Sequence, residues 1–328
     1  MTALYDVAAI GNAIVDVLAS ADDAFLAAEQ LDKGSMRLID EARAHELYGR
    51  MAAGIEASGG SAANTIAGVA SLGGRAVFVG KVATDGLGEV FTHDIRAIGA
   101  QFDTAPLAGG PATARCLINI TPDGERTMCT YLGAAVMLTP ADVTPTTIAE
   151  ASILYLEGYL FDPDEARAAF AKAAAAARAA GRSIALSLSD AFVVERHRAG
   201  LLAFIDAEVD VLFANEVEIA ALFETDFDKA LSALRGRVRI AAVTRGAQGS
   251  VVLASGSSVT IGAEPVSKVV DTTGAGDQYA AGFLVGLAAA RPLEDCARLG
   301  AMAAAEVISH FGPRPQTPLK NLAAAKGL

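Results

Sequence analysis

The sequence predicts an α/β fold in three layers: a mostly parallel central sheet covered by helices on both faces, with a small β lid beside it. Three observations carry this expectation. Short, nearly continuous apolar runs recur along the chain, alanine-rich helical patterns separate them, and two stretches break the rhythm with hairpin signals. Apolar strands alternating with helices imply parallel pairing with both sheet faces buried. In chain order, residues 7–10 read as the first strand, 62–72 as a helix, 76–79 as a strand and 87–98 as a helix. Residues 113–132 then read as two strands around Thr121-Pro122-Asp123-Gly124, because Asp-Gly between apolar runs signals a tight hairpin. With part of residues 15–38 they form the expected lid. Strands follow at 153–156, 184–188, 209–213 and 240–243, with helices at 163–180 and 226–235. A second hairpin is expected over 250–261, around Ser255-Gly256-Ser257, and the chain turns helical from Gly274 onward. No linker or internal repeat divides the chain, so one domain spanning 1–328 is expected, with a lid built from about 15–40 and 106–133.

Composition narrows the function. With 52% hydrophobic and 20% charged residues, the 328-residue chain can bury a large core. A net charge of −12 argues against general nucleic-acid binding, which needs a basic face, but leaves room for a locally positive nucleotide site. Cys116, Cys129 and Cys296 have neither disulfide-framework nor zinc-ribbon spacing, which fits a reducing cytoplasm. His45, His93, His197 and His310 form no metal motif. No signal-peptide pattern opens the chain, and the apolar stretch 279–290 is too short to span a bilayer, so no membrane association is expected.

The chemistry concentrates in Asp271-Thr272-Thr273-Gly274-Ala275-Gly276-Asp277. Glycines at a helix start let backbone N–H groups face an anion, and the helix dipole favours negative charge there. Asp277 adds a carboxylate in the first turn, so donors for a phosphoryl group and a base for a hydroxyl proton lie a few residues apart. Gly-Ala-Gly-Asp alone is equally an ordinary loop-to-helix turn with an acidic dipole partner.

The seven-residue stretch resembles the C-terminal signature of the ribokinase-like (PfkB) carbohydrate and nucleoside kinase family. Gly59-Gly60-Ser61-Ala62-Ala63-Asn64 resembles the family's N-terminal Gly-Gly…Asn motif, so the resemblance spans essentially the whole chain. It implies a ribokinase-like fold, Asp277 as catalytic base, and Gly274, Ala275 and Gly276 as an anion hole. Asn215-Glu216-Val217-Glu218 resembles the Asn-x-x-Glu motif, implying Asn215 near the ATP phosphates and Glu218 ordering the water shell of Mg2+. The same four residues also fit a helix capping box. Thr244, Gly246 and Gly249 match a nucleotide-binding turn, in which Arg245 is given no role. Asp271 and Thr273, with carbonyls near His310 and Gly312, correspond to the monovalent-cation site of potassium-activated members.

For the acceptor, Asn12 and Asp16 follow the first strand, where ligands bind in open α/β sheets, and Asp16 can accept from two vicinal hydroxyls. The resemblance places Asn12, Asp16, Gly59, Gly60 and Asn64 around the sugar. It also brings Arg126 of the lid hairpin toward the transferred phosphate, with a solvated hairpin charge as the alternative. Gly11-Asn12-Ala13-Ile14-Val15-Asp16, Tyr131-Leu132-Gly133-Ala134-Ala135 and the tail from Ile308 to Pro315 are most similar to adenosine kinases. The implied activity is transfer of the ATP γ-phosphate to the 5′-hydroxyl of adenosine by a monomer or homodimer, with K+ as a possible activator. A ribose or fructose kinase is the alternative. Phe102, Tyr131 and Phe161 are candidates to stack on a purine, though core packing is the simpler role for each. A nicotinamide oxidoreductase is disfavoured, because the first strand leads into Gly11-Asn12-Ala13-Ile14 rather than Gly-x-Gly-x-x-Gly. A binding-only sensor would have no use for Asp277.

Overall fold

A computed structural model describes residues 3–254 and 256–328. Its strands, in chain order, are β1 (Tyr5–Ile10), β2 (Ile14–Ser20), β3 (Met36–Leu38), β4 (Ile55–Gly59), β5 (Ala76–Val79), β6 (Ala114–Ile120) and β7 (Arg126–Tyr131). The series continues with β8 (Ala151–Glu157), β9 (Ser183–Ser187), β10 (Val211–Asn215), β11 (Ile240–Thr244), β12 (Ser250–Ala254) and β13 (Ser257–Ile261). Eight of them form one sheet in the order β13-β12-β11-β10-β9-β8-β1-β5. Pairing is parallel from β5 to β11 and antiparallel from β11 through β12 to β13.

The strand faces explain the layers. Ala8, Ile10, Leu154 and Leu156 point into one core with Phe170, Ala173, Leu201 and Leu222 from helices on that side. Val7, Ala9, Ile153 and Tyr155 point into the other, with Ile66, Phe91, Phe283 and Leu284. This period-two split, apolar on both faces, is the three-layer architecture expected from the sequence. The alanine-rich pattern at 163–180 is the helix Asp164–Ala179. The expected strand at 209–213 begins later, because Val209 still caps the helix Ala191–Glu208. The second hairpin is β12–β13; of its turn, Ser255 lies outside the described residues.

A second sheet, ordered β3-β7-β6-β2-β4, stands beside the first. The β6–β7 hairpin turns at Asp123-Gly124, with Gly124 at φ 87 and its N–H donating to Thr121 O at 2.8 Å. One face of this sheet packs Val17, Leu117 and Cys129 against Leu26, Leu31 and Leu47. The sequence reading missed β4, which is short, ends in Gly59-Gly60 and has exposed Ile55 at its start. Cys116, Cys129 and Cys296 are buried free thiols. No helix among the described residues is long and apolar enough to cross a membrane.

Candidate active site

The site forms where β1 and β8 end beneath the starts of two helices. Gly60 precedes the helix Ser61–Ser71 at φ +94, and a Cβ there would lie 2.2 Å from Asn12 O. Glycine is therefore required for the chain to turn this close to the first strand. The turn aims the helix start at Asp277: Ser61 Oγ donates to Asp277 Oδ1 at 2.6 Å, and Asn64 Nδ2 reaches Oδ2 at 3.4 Å. Residues 216 positions apart in sequence thus share one carboxylate.

Asp277 sits in the first turn of the helix Ala275–Ala288, which Gly274 caps at φ 79. A Cβ on Gly274 would meet Pro313 O at 2.6 Å, so the tail closes over this turn. The Ala275 N–H is taken by Thr272 O at 3.2 Å. Among the described residues, no backbone carbonyl takes the N–H groups of Gly274, Gly276 and Asp277. Gly274 and Gly276 of the expected trio thus keep free donors, joined by Asp277, while the middle amide of the trio, Ala275, closes the turn. Burial raises the Asp277 carboxyl to about 6, against the lowering pull of Ser61 and Asn64. The group is thus poised to take a proton near neutral pH.

Asp16 lies on β2, in register with Cys116 on β6, which is in register with Thr130 on β7. Thr130 Oγ1 donates to Cys116 Sγ at 3.3 Å, and Leu38 on β3 completes the row. Gly59 ends β4 opposite Ile14, beside this row. Asp16 is 9% exposed, and no hydrogen bond from a described residue reaches its carboxylate. Burial raises it to about 7; Arg314 and then Arg126 pull it down, and Asp277 pushes it up.

Two residues without an assigned role in the sequence reading hold these groups in place. Glu157, 1% exposed at the end of β8, accepts from Asn12 Nδ2 at 2.7 Å and from Ala62 N at 2.8 Å. It ties the first-strand turn to the helix that carries Ser61 and Asn64, and burial raises its carboxyl to about 7. The only sequence signal was a glutamate ending an apolar strand. Arg314 donates from Nη1 to Ser58 Oγ at 2.5 Å and from Nε to Asn64 Oδ1 at 3.3 Å. It lies in the quoted tail, whose course over the site only the fold reveals.

Arg126 does not stand free in the cleft. Its guanidinium lies 2.5 Å from Asp271 Oδ2 and donates to Thr273 Oγ1 at 3.2 Å, with its carbon 5.7 Å from the Phe311 ring centroid. Its side chain is 8% exposed, so a solvated hairpin charge is not its setting. Asp271 also accepts from Gly312 N at 2.9 Å and Thr273 N at 3.0 Å.

Asn215 and Glu218 form a full capping box. Asn215 Oδ1 accepts from the N–H groups of Val217 and Glu218, while Glu218 accepts from Asn215 N at 2.9 Å and Nδ2 at 2.7 Å. Burial raises Glu218 to about 7, with Asp190 and Asp277 adding to the rise. Thr244 pairs with Asn215 across β10 and β11. Gly246 and Gly249 flank the tight turn that follows, where Arg245 lies 4.3 Å over the Phe227 ring. Asn64 and Asp277 thus meet at the start of the helix Ser61–Ser71, to which Glu157 ties Asn12, while Asn215 and Thr244 lie on neighbouring strand ends with Gly246 and Gly249 in the turn that follows. Phe102 packs on Phe78 and Phe91, Phe161 on His197 and Phe204, and Tyr131 is buried with its hydroxyl on Glu41, so all three serve the core. A separate cavity of about 620 Å³ along the helix Gly86–Ala97 contains none of these residues.

Comparison with known proteins places the chain in a family. Residues 36–320 match the pfkB family carbohydrate kinase. The structure resembles adenosine kinase from Sinorhizobium meliloti, with 53% identity, TM-score 0.92, and coverage of 98% of this chain and 99% of that one. It also resembles a protein described as a probable sugar kinase from Rhizobium etli, with 47% identity, TM-score 0.93 and 99% of both chains covered. Fructokinase-2 of Solanum habrochaites is 30% identical over 70% of this chain and 72% of its own. The chain belongs to the PfkB carbohydrate kinase family, and it is a phosphotransferase acting on a hydroxyl group of a sugar or nucleoside.

Proposed function

We propose that this protein phosphorylates the 5′-hydroxyl of adenosine, or of a closely related purine ribonucleoside, at the expense of ATP. The observation that carries the reading is the face of the second sheet at Asp16. Asp16 is an acceptor with no donor among the described residues, and its row runs through Cys116 and Thr130 to Leu38, which is 59% exposed. The adjacent row on the same face, Leu18, Ile118, Met128 and Met36, is apolar throughout, and Met36 is 48% exposed. A diol acceptor bordered by exposed apolar surface suits a ribose carrying a flat base better than a free sugar, which is hydroxylated all round.

On this reading Asp16 accepts from the ribose diol and Asp277 takes the 5′-hydroxyl proton as that oxygen attacks the γ-phosphorus in line. The amides of Gly274 and Gly276 face the transferred phosphoryl group. Mg2+, when bound with ATP, offsets phosphate charge. Both Glu218 oxygens already accept from Asn215, which suits holding the ion's water shell rather than the ion itself. Arg126 holds Asp271 and Thr273, so a potassium ion held by those two residues would compete with its guanidinium, and potassium stimulation would accompany a swing of Arg126 toward the phosphate. The second sheet would act as the lid whose closure carries that swing. The buried free thiols accord with a cytoplasmic protein.

The likeness to a fructokinase favours fructose as the one competing acceptor. ADP release measured with adenosine, inosine, guanosine, ribose and fructose tests the choice. The expected result is kcat/KM at least tenfold higher for adenosine than for any sugar; the reverse order would reject the nucleoside reading.

A further inference from the structure

Arg314 enters the acceptor end of the cleft from the C-terminal tail. One side of its guanidinium is anchored: Nη1 donates to Ser58 Oγ at 2.5 Å, and Ser58 N donates to Asp94 Oδ2 at 3.0 Å. Nε reaches Asn64 Oδ1 at 3.3 Å, which leaves the Asn64 amide nitrogen for Asp277. The remaining nitrogen, Nη2, is buried and has no hydrogen-bond partner among the described residues. A buried donor left unpaired is costly, so its partner is to be sought in a ligand.

The complementary group is Asp16. Its carboxylate has acceptors only, and no described residue donates to it. Arg314 is the cation that acts on it most strongly, with Asp94 the other acid that acts on Arg314. A guanidinium has donors only. A hydroxyl both donates and accepts, so two neighbouring hydroxyls satisfy an acid and a guanidinium that cannot be satisfied by either hydroxyl-free carbon or a lone amine. We infer that Arg314 is a specificity-determining residue that donates from Nη2 to the acceptor's vicinal diol while Asp16 accepts from it. This rests on the nucleoside reading for the identity of the diol. Its contact with Asn64 couples the bound diol to the orientation of the group that steadies Asp277.

The test compares the wild type with Arg314→Met and Arg314→Lys on adenosine, 2′-deoxyadenosine and 3′-deoxyadenosine. The wild type should prefer adenosine over at least one deoxynucleoside by tenfold or more in kcat/KM, because a site built for a hydroxyl rejects its absence. Arg314→Met should raise the KM for adenosine at least tenfold, leave the KM for ATP within twofold, and narrow that preference to threefold or less. Arg314→Lys keeps charge but loses the fork, and should lie between the two. Unchanged KM for adenosine in both variants, or a preference as large as in the wild type, would overturn the inference. If Arg314→Met does not fold, Arg314→Lys decides on the same criteria. If the wild type uses fructose and no nucleoside, the nucleoside reading has failed. The Arg314 variants are then judged by their KM for fructose, a tenfold rise supporting the role and an unchanged value rejecting it.

Discussion

Replacing Asp16 by asparagine should stabilise the protein at alkaline pH while removing acceptor binding. Burial raises the Asp16 carboxyl from 3.8 to about 7. A folded-state value above the unfolded one means that the folded protein holds the extra proton. The associated stability is fully present below pH 3.8 and is lost as pH rises through 7. At about 1.4 kcal/mol per pH unit, that step amounts to about 4 kcal/mol at pH 8, with the pulls of Arg314 and Arg126 already contained in it. Half of this, about 2 kcal/mol, falls between pH 5.5 and pH 8. Asparagine keeps the shape and cannot ionise, so the variant escapes the loss. At about 2 °C per kcal/mol for a chain of this size, its Tm advantage should grow by about 4 °C from pH 5.5 to pH 8. Glu157, Glu218 and Asp277 titrate in both proteins and largely cancel in the comparison. Thermal unfolding at the two pH values checks the expectation. A Tm difference that stays constant, or shrinks toward pH 8, would refute a buried and uncompensated Asp16.

Three further outcomes are expected. Asp277→Asn should lower kcat by roughly 10²–10⁴-fold while leaving ATP binding near normal, as measured by single-turnover kinetics and nucleotide titration. With Asp277 near 6 and Asp16 near 7, both required as carboxylates, kcat/KM for the acceptor should fall as pH drops below 7, with a limiting slope steeper than one proton in a pH–rate profile. Gly274→Ala places a side chain at φ 79 and 2.6 Å from Pro313 O, so it should cost about 2–4 kcal/mol in denaturant unfolding and displace the tail that carries Arg314.

Much of this site was legible because covalent neighbours carried it. Asp271 to Asp277 is a continuous loop and helix start, and Gly59 to Asn64 another, so their local geometry follows from glycine freedom and helix ends. The central sheet was legible because strands buried on both faces read as unbroken apolar runs. Glu157 and Arg314 were not, since their roles arise from contacts spanning 145 and 250 residues, which no periodicity encodes. The strand β4 was missed for a related reason: its identity comes from pairing with β2 rather than from its own composition. Arg126 illustrates the reverse. Its place on a hairpin was readable, but its ion pair with Asp271 depends on how the two sheets face one another.

The central claim is that Asp277 serves as the base of a nucleoside kinase. Phosphorus NMR of a mixture of ATP, Mg2+ and adenosine with the wild-type protein should show stoichiometric AMP and ADP, and the same mixture with Asp277→Asn should show neither on the same timescale. No AMP from adenosine alongside a phosphorylated sugar in a parallel fructose experiment, or AMP formed by Asp277→Asn within threefold of the wild-type rate, would contradict it.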